Sequence, residues 1–426
     1  MKTQWAWAFV VMLLTCMVNQ ADLFGQSPYP PYPGMGPGAM YGPPGQYGAM
    51  PAAYGGAEGE PIPDGAIGYE DYSGYGPSEG EYFDDGYCRQ PGRTLLDLIL
   101  PNGEGGPCAP RWYDFYVDGM QLRRDNTARR TLDFTHNGIG AGGTSVLSTD
   151  NLNFDDEYGF RAGLAFQFGP GGSIELGYMG TFNFASAASV QGNGNLYSVM
   201  SNFGTNPPNG FDQTDRASYH AIEYSSQFNT FEISYRRRQQ AEDCRFQSSW
   251  LAGIRYFELN EDFVHNTSRN NGNSTDQMHY IVHTGNALTG FQMGVDGWYT
   301  IIPGLRVGGD IKAGIYGNHA RQSTVIQATS AGTPIYDGLE GVKESDAALV
   351  GESNLMLIYK ISHSWTFRAG YSFLYVNGVA LATENFNPNP PNFSGQPGFN
   401  PIRQPFLNSN GNVFYNGATL GVEYMW

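Results

Sequence analysis

One stretch, residues 160–184, places the strongest constraint on the fold. It reads FRAGLAFQF, then GPGGS, then IELGYMGTFNF. Apolar or small residues alternate with polar ones on both sides of a Gly/Pro turn, which predicts two antiparallel strands. Aromatic residues stand at the ends of the apolar face, and charges fall on the other face, as is typical of a membrane β-barrel. The predicted apolar face holds Phe160, Ala162, Leu164, Phe166, Phe168, Ile174, Leu176, Tyr178, Gly180, Phe182 and Phe184.

The hairpin also predicts its own register. A slip of one residue would turn every side chain to the opposite face. Phe166 should therefore pair with Ile174 or Leu176, across a turn of three or five residues. Under this pairing the intervening residues, including Arg161, Glu175 and Thr181, should face the interior.

Charge and hydropathy argue against a nucleic-acid-binding protein and against a helical membrane protein. The formal net charge of -17 argues against a nucleic-acid partner, which would need clustered Lys and Arg. After the N-terminal segment no run approaches 18 uninterrupted apolar residues, the length that a spanning helix requires. If the chain spans a membrane, it should do so as a closed barrel, since only helices and closed barrels satisfy every backbone group in lipid.

The first quarter of the chain predicts three segments. Residues 1–26, with Lys2 followed by an apolar run, are typical of a signal peptide. Residues 27–87 are rich in Pro, Gly and Tyr and predict a disordered tether, either a spacer or a contact for a cell-wall or periplasmic partner. Residues 88–111 form a predicted periplasmic segment that contains Cys88 and Cys108, and these two could close a disulfide in an exported protein. Cys244 has no evident partner. The remaining residues, 112–426, are predicted to form the barrel.

Ten strands are predicted in that barrel, or twelve if a long loop hides a hairpin. The strands are expected at 112–123, 157–168, 173–184, 221–237, 246–259, 277–300, 305–318, 347–361, 365–376 and 412–426. Short connections at GPGG, RRRQQAEDC, IIPG and ISHS alternate with long ones at 124–156, 185–220, 260–276, 319–346 and 377–411. Outer-membrane barrels show this asymmetry, with short periplasmic turns and longer external loops.

The strand sequences resemble a known family. FRAGLAFQFG, SIELGYMGTFNF, FNTFEISYRRR, WLAGIRYFELNEDF and TGFQMGVDGWYTIIPGL together look like the beta-barrel porin-7 family of outer-membrane proteins. The resemblance covers about residues 112–426, and the segment with Cys88 and Cys108 also fits. It implies an all-β, antiparallel up-and-down barrel in the outer membrane, and it implies no defined substrate. The final strand ends at Trp426 and resembles the signal that the barrel-assembly machinery reads.

Charged residues on the face opposite the lipid are the candidates for lining the lumen. Barrels of about eight strands are filled by side chains, whereas wide aqueous channels need about sixteen. Ten strands therefore predict either a narrow passive channel or a closed barrel with a structural charge network, and the closed barrel is favoured. The candidates are Arg161, Glu175, Glu232, Arg255, Asp296, Arg306, Asp310, Lys312, Glu352, Arg368 and Glu423.

No catalytic residue, metal site or cofactor is predicted, and the protein is not expected to be an enzyme. A rim protease or lipase would need a His oriented by a carboxylate. The nearest fragments are His265 near Asp262 and the pair His279 and His283. The main alternative to a channel or a structural role is a surface binding or adhesion protein that acts through the loops 185–220 and 377–411. The expected partners are outer-membrane lipid, the assembly machinery and a periplasmic contact of the tether.

Overall fold

A computed structural model describes residues 113–425, except 126–127, 129, 169–170, 209, 241–244, 270–274, 363 and 392–402. The predicted signal peptide, the tether, the segment with Cys88 and Cys108, Cys244 and Trp426 lie outside the described residues. No helix in the described part of the chain is long and apolar enough to cross a membrane. Three short 3₁₀ turns occur, at Gly140–Gly142, Thr149–Asn151 and Val199–Ser201.

The described residues form one antiparallel sheet that closes on itself. Its twelve strands are β1 (Tyr113–Arg124), β2 (Asp133–Asn137), β3 (Thr144–Ser148), β4 (Glu157–Phe168), β5 (Gly172–Ser198), β6 (Ala217–Gln240), β7 (Phe246–Ser268), β8 (Gln277–Ile302), β9 (Leu305–Ser330), β10 (Thr333–Lys360), β11 (Trp365–Val379) and β12 (Gly411–Met425). Strands β2 and β3 form a side hairpin on β5, and the other ten close into a ring because β5 also pairs with β6. The predicted barrel of ten strands is confirmed, and the long loop before β4 does contain a hairpin, although that hairpin lies outside the ring.

The predicted register of the opening hairpin is also confirmed. Phe166 pairs with Ile174, and three residues separate the end of β4 at Phe168 from the start of β5 at Gly172. Leu176 is 40% exposed on the outer wall, whereas Arg161 is buried inside. The hairpin therefore separates an apolar outer face from a polar inner face, as alternation in a barrel requires.

An apolar band surrounds the half of the barrel nearest the short turns. Every strand of the ring contributes exposed apolar side chains to it. Tyr299, Tyr359 and Trp365 lie at its short-turn edge and are each close to half exposed, as expected of an aromatic girdle. The band includes Phe115, Phe160, Leu176, Ile233, Ile254, Phe291, Ile315, Leu355, Phe367 and Leu420.

Several strands continue well beyond this band, which corrects the predicted long loops. The segment 319–346 was predicted as a loop, but β9 and β10 pair up to a turn at residues 331–332. Strands β5, β6 and β7 also extend into the predicted loops 185–220 and 260–276. The sequence prediction used the apolar outer face to recognise strands. Beyond the band that face meets water and becomes polar, so the marker disappears while the strand continues.

A β-bulge in β5 overturns the predicted orientation of residues 181–184. Thr181 has a φ of +71°, and the pairing of β5 with β6 shifts between Met179 and Phe182. Because the extra residue reverses the alternation, Thr181 is exposed on the outer wall, while Phe182 and Phe184 are buried inside. The sequence predicted the opposite faces for all three residues.

The bulge should make Thr181 a strained position. A β-branched residue in the left-handed region costs about 1–3 kcal/mol, and glycine adopts this conformation without that penalty. We expect Thr181→Gly to raise the free energy of unfolding by about 1 kcal/mol, measured by urea titration of the folded protein in lipid vesicles. Thr181→Ala keeps a Cβ and should give less than half of this gain. A destabilised Thr181→Gly variant would contradict the assignment of strain.

Candidate functional site

The interior at the level of the apolar band is filled by a network of charged side chains. Asp118 on β1 accepts hydrogen bonds from Arg161 on β4 at 3.0 Å and from Arg368 on β11 at 3.1 Å. Arg161 also donates to Asn354 on β10 at 3.0 Å, so it reaches across the ring to a strand that is not its neighbour. The arrangement ties several walls of the barrel together.

A second group of contacts extends the same network. Arg255 on β7 donates to Glu352 on β10 at 2.7 Å, and Lys312 on β9 donates to Glu232 on β6 at 2.6 Å. Arg255 and Glu352 are nearly inaccessible, with exposed side-chain fractions of 2% and 5%. Buried charges of this kind are tolerated when each has a partner and further hydrogen bonds.

The remaining residues that the sequence singled out lie in or beside this network. Glu175 and Asp296 both pair with Arg236. Glu423 pairs with Arg368 at 2.9 Å, and Asp310 accepts a hydrogen bond from Asn354 at 2.9 Å. Arg306 is half-buried near the short-turn end of β9.

The sequence prediction missed several members of the network. Asp118 and Arg236 are central to it, yet neither was among the candidates. The alternation rule could have found both. Asp118 follows Phe115 and Val117, which are exposed on the outer wall, and Arg236 has the same parity as Glu232. Asn354 carries no charge and gave no comparable signal.

Beyond the band the interior changes to a packed aromatic core. Phe182 stacks on Phe228 with ring centroids 5.0 Å apart, and Phe228 contacts Tyr415 at 4.7 Å. Phe134, from the side hairpin, packs on Phe263 at 4.8 Å. The β5 bulge supplies two of these rings by turning Phe182 and Phe184 inward.

One ion pair is embedded in this aromatic core. Arg124 on β1 donates to Glu261 on β7 at 2.6 Å, and both side chains are fully buried. Glu261 also accepts hydrogen bonds from Tyr224 at 2.6 Å, Ser226 at 3.1 Å and the Ala382 N–H at 3.0 Å. Glu261 therefore connects β1, β6 and the connection after β11.

Part of that connection lies inside the barrel. We call residues 380–387 the inner segment; all but Glu384 in it are buried. Asn286 on β8 binds both the N–H and the carbonyl of Ala380, at 2.7 and 2.9 Å. The ring of Phe386 lies 4.3 Å from that of Tyr280. The sequence predicted an external loop at 377–411, and the position of the inner segment corrects this for residues 380–387.

The loop between β5 and β6 packs against the same end of the barrel. Met200, Phe211 and Thr214 are buried within it. Asp215 accepts a hydrogen bond from the Ser198 N–H at 2.7 Å, and burial raises the pKa of its carboxyl to about 7. The inner segment and this loop thus both occupy the long-loop end.

The histidine fragments noted in the sequence occupy different environments. His265 is buried between the rings of Phe134 and Phe386, so it cannot pair with Asp262, which is exposed on the outer wall. His283 Nδ1 instead donates a hydrogen bond to Asp262 Oδ1 across strands β7 and β8. Among the described residues, no group of three His, Cys, Asp or Glu side chains is arranged to hold a metal ion.

The chain matches a known protein family and is distantly similar to solved outer-membrane proteins. The family model described as Putative beta barrel porin-7 matches residues 126–426. The chain is 13% identical to the outer membrane protease OmpT of Escherichia coli, covering 74% of this chain and 97% of that one with a TM-score of 0.40. A major outer membrane protein of Thermus thermophilus is 12% identical, with coverages of 74% and 99% and a TM-score of 0.27. No curated protein matches the chain.

Proposed function

Because this chain belongs to the Putative beta barrel porin-7 family and is an outer-membrane β-barrel, we propose that its role is structural and that its lumen is closed at rest. The observation that carries the proposal is that side chains fill the interior at two successive levels. Charged side chains cross the ring at the level of the membrane, and the aromatic core with the inner segment fills the level beyond it. A passage for solutes would have to cross both layers.

The proposed role is that of an anchor for the strands beyond the membrane. Strands β5 to β10 are 23 to 28 residues long, whereas about 9–11 residues suffice to span a bilayer. The excess length forms a paired wall that would stand outside the cell. Strand β1 begins at the short-turn end, so the extension of residues 27–111 would lie in the periplasm. The assembly machinery would recognise the last strand.

A narrow passive channel is the second candidate. The eleven charged residues that the sequence singled out would line it at membrane level, and their mixed charges suit small ions better than large apolar solutes. Such a channel would require the inner segment to leave the barrel. Adhesion through the loop 377–411 has less support, because its residues 380–387 are buried. No catalytic role is proposed for the interior.

Single-channel recording tests this proposal. We expect the purified full-length protein to give no stable conductance steps in planar bilayers, because the inner segment and the charge network occupy the lumen. Removal of residues 381–390, replaced by a short Gly/Ser linker, should produce step-like conductance. A matched control removes residues 329–334 at the β9–β10 turn, outside the barrel interior, and should remain silent. A stable ohmic channel in the unaltered protein would overturn the closed-barrel proposal.

A further inference from the structure

The polar outer wall beyond the apolar band contains a groove of about 610 Å³. It runs over strands β6 to β10. Its floor lacks side chains at Gly285 and Gly341, and the walls are polar. The lining includes Asn260, Asp262, His283, Arg321, Ser323 and Lys343.

Three of these residues lie side by side on adjacent strands. Asp262 on β7 pairs directly with His283 on β8, and His283 pairs directly with Ser323 on β9. Directly paired residues place their Cβ atoms about 4.5–5.5 Å apart on the same face. The row therefore brings a carboxylate, an imidazole and a hydroxyl together in the order that nucleophilic catalysis by serine requires.

The hydrogen bond in the row fixes how the imidazole can act. Asp262 Oδ1 is bonded to His283 Nδ1. This bond occupies Nδ1, so Nε2 is the ring nitrogen that can serve Ser323, the residue paired with His283 on the neighbouring strand. An Asp that holds Nδ1–H selects the tautomer in which Nε2 can accept a proton.

Two cations flank the hydroxyl. Arg321 precedes Ser323 by two residues on the same face, and it lies over Gly285, where a Cβ would come within 2.5 Å of its Nε. Lys343 pairs with Arg321 from β10. Neither cation has an ion-pair partner among the described residues. Beside Ser323 itself β10 carries Gly341, which leaves room for a ligand. Unneutralised cations here favour an anionic ligand and could stabilise negative charge that develops on it.

We propose that Asp262, His283 and Ser323 form a hydrolytic site for carboxylic esters that carry an anionic group. Ser323 Oγ attacks the ester carbonyl while His283 Nε2 accepts its proton. The bond to the leaving alkoxide breaks, and His283 returns the proton to it. Water then attacks the acyl-serine with His283 as base, which releases the acid and restores Ser323.

The position of the groove defines where the substrate comes from. Ile254, Phe291 and Ile315 form a row of exposed apolar residues near the outer limit of the band, and on β7 only Tyr256 follows within two residues. The Asp262 row lies eight residues farther along each strand, which is about 26 Å along the strand direction. The ester would therefore arrive from the medium or from the polar layer above the membrane. The proposed site uses only residues of the outer wall, so it does not depend on whether the lumen is closed.

Labelling of the full-length protein in detergent micelles with a fluorophosphonate probe tests the nucleophile. We expect the unaltered protein to be labelled and Ser323→Ala to remain unlabelled. The matched control is Ser345→Ala. Ser345 lies on the same wall and is bonded to His319 Nδ1 at 2.8 Å, but His319 pairs on its other side with Ala287 and has no carboxylate there. Ser345→Ala should label like the unaltered protein.

Hydrolysis of nitrophenyl esters tests the substrate class and the role of the carboxylate. An ester with a free carboxylate should be cleaved faster than a neutral one, and Arg321→Gln should remove this preference. Asp262→Asn should lower kcat by a factor on the order of 10²–10⁴, while Asp262→Glu should recover part of it. Heat-modifiable mobility verifies that each variant is folded. Absence of labelling in the folded, unaltered protein, or equal labelling of Ser323→Ala, would overturn the proposal.

Discussion

Glu261→Gln is expected to lower the free energy of unfolding by about 3–5 kcal/mol, because removal of one partner from a buried ion pair leaves the other charge uncompensated. Arg124 has no exposed side-chain surface, so water cannot replace the lost carboxylate. The amide would also weaken the hydrogen bonds from Tyr224 and from the Ala382 N–H. Urea titration in lipid vesicles, followed by Trp fluorescence, measures the change.

Glu258→Gln is the matched control for this prediction. Glu258 lies three residues before Glu261 on β7, so its side chain faces the outer wall. There it accepts a hydrogen bond from Asn260 at 3.0 Å. Exposed pairs contribute about 0–1 kcal/mol, so the control should change stability by less than that. Similar losses in the two variants would mean that the buried Arg124–Glu261 pair contributes no more to stability than an exposed glutamate does.

The Glu261 variant also links stability to the closed lumen. The Ala382 N–H bond is one of the anchors of the inner segment. If this hydrogen bond helps to hold the inner segment inside the barrel, the folded Glu261→Gln protein should show intermittent conductance, whereas the unaltered protein is silent. Silent recordings would show that the contacts of Asn286 and Tyr280 hold the segment without Glu261.

Leu176→Arg is expected to destabilise the folded protein by about 2–4 kcal/mol if Leu176 lies near the bilayer midplane, since an Arg there must face hydrocarbon. Leu176 is 40% exposed on the outer wall and lies within the apolar band. The free energy of unfolding in vesicles is again the measurement.

The control for Leu176→Arg comes from the same strand and the same outer face. Ala187 is exposed on β5 beyond the bulge, above the apolar band. Ala187→Arg should cost no more than about 1 kcal/mol, the value for positions near or outside the interface. Thr181 cannot serve as an interior comparison, because the bulge places it on the outer wall. Equal costs at 176 and 187 would contradict the assigned limits of the band.

The sequence predicted those features of the fold that contact with lipid imposes on each strand separately. A residue that faces hydrocarbon must be apolar, and a strand exposes every second residue to it. The pairing of Phe166 with Ile174 followed from this rule alone. So did the ring of ten strands.

The bulge at Thr181 shows where such local reasoning stops. Phe182 and Phe184 continue the alternation in the sequence, and nothing in their identity distinguishes a ring that meets lipid from one that packs against Phe228 and Tyr415. A single extra residue in the backbone decides between the two.

The candidate sites depend even more on contacts between distant residues. The alternation of side chains along each strand predicted that charges such as Arg161 and Glu352 would face inward. It could not predict that these charges would meet across the ring. Asp262, His283 and Ser323 carried no joint signal, because three separate strands contribute them.

The sequence by itself determined the class of fold, the strands at the level of the membrane and the face that each residue presents there, because hydrocarbon enforces a repeat that is readable along one strand. Only the tertiary structure decided how far the strands continue, what fills the interior and which polar residues become neighbours. Outside the lipid the outer face meets water and need not be apolar, so the repeat that marks a membrane strand is absent there. Burial of the inner segment, the Arg124–Glu261 pair and the row at Ser323 all arise from the closure of the ring.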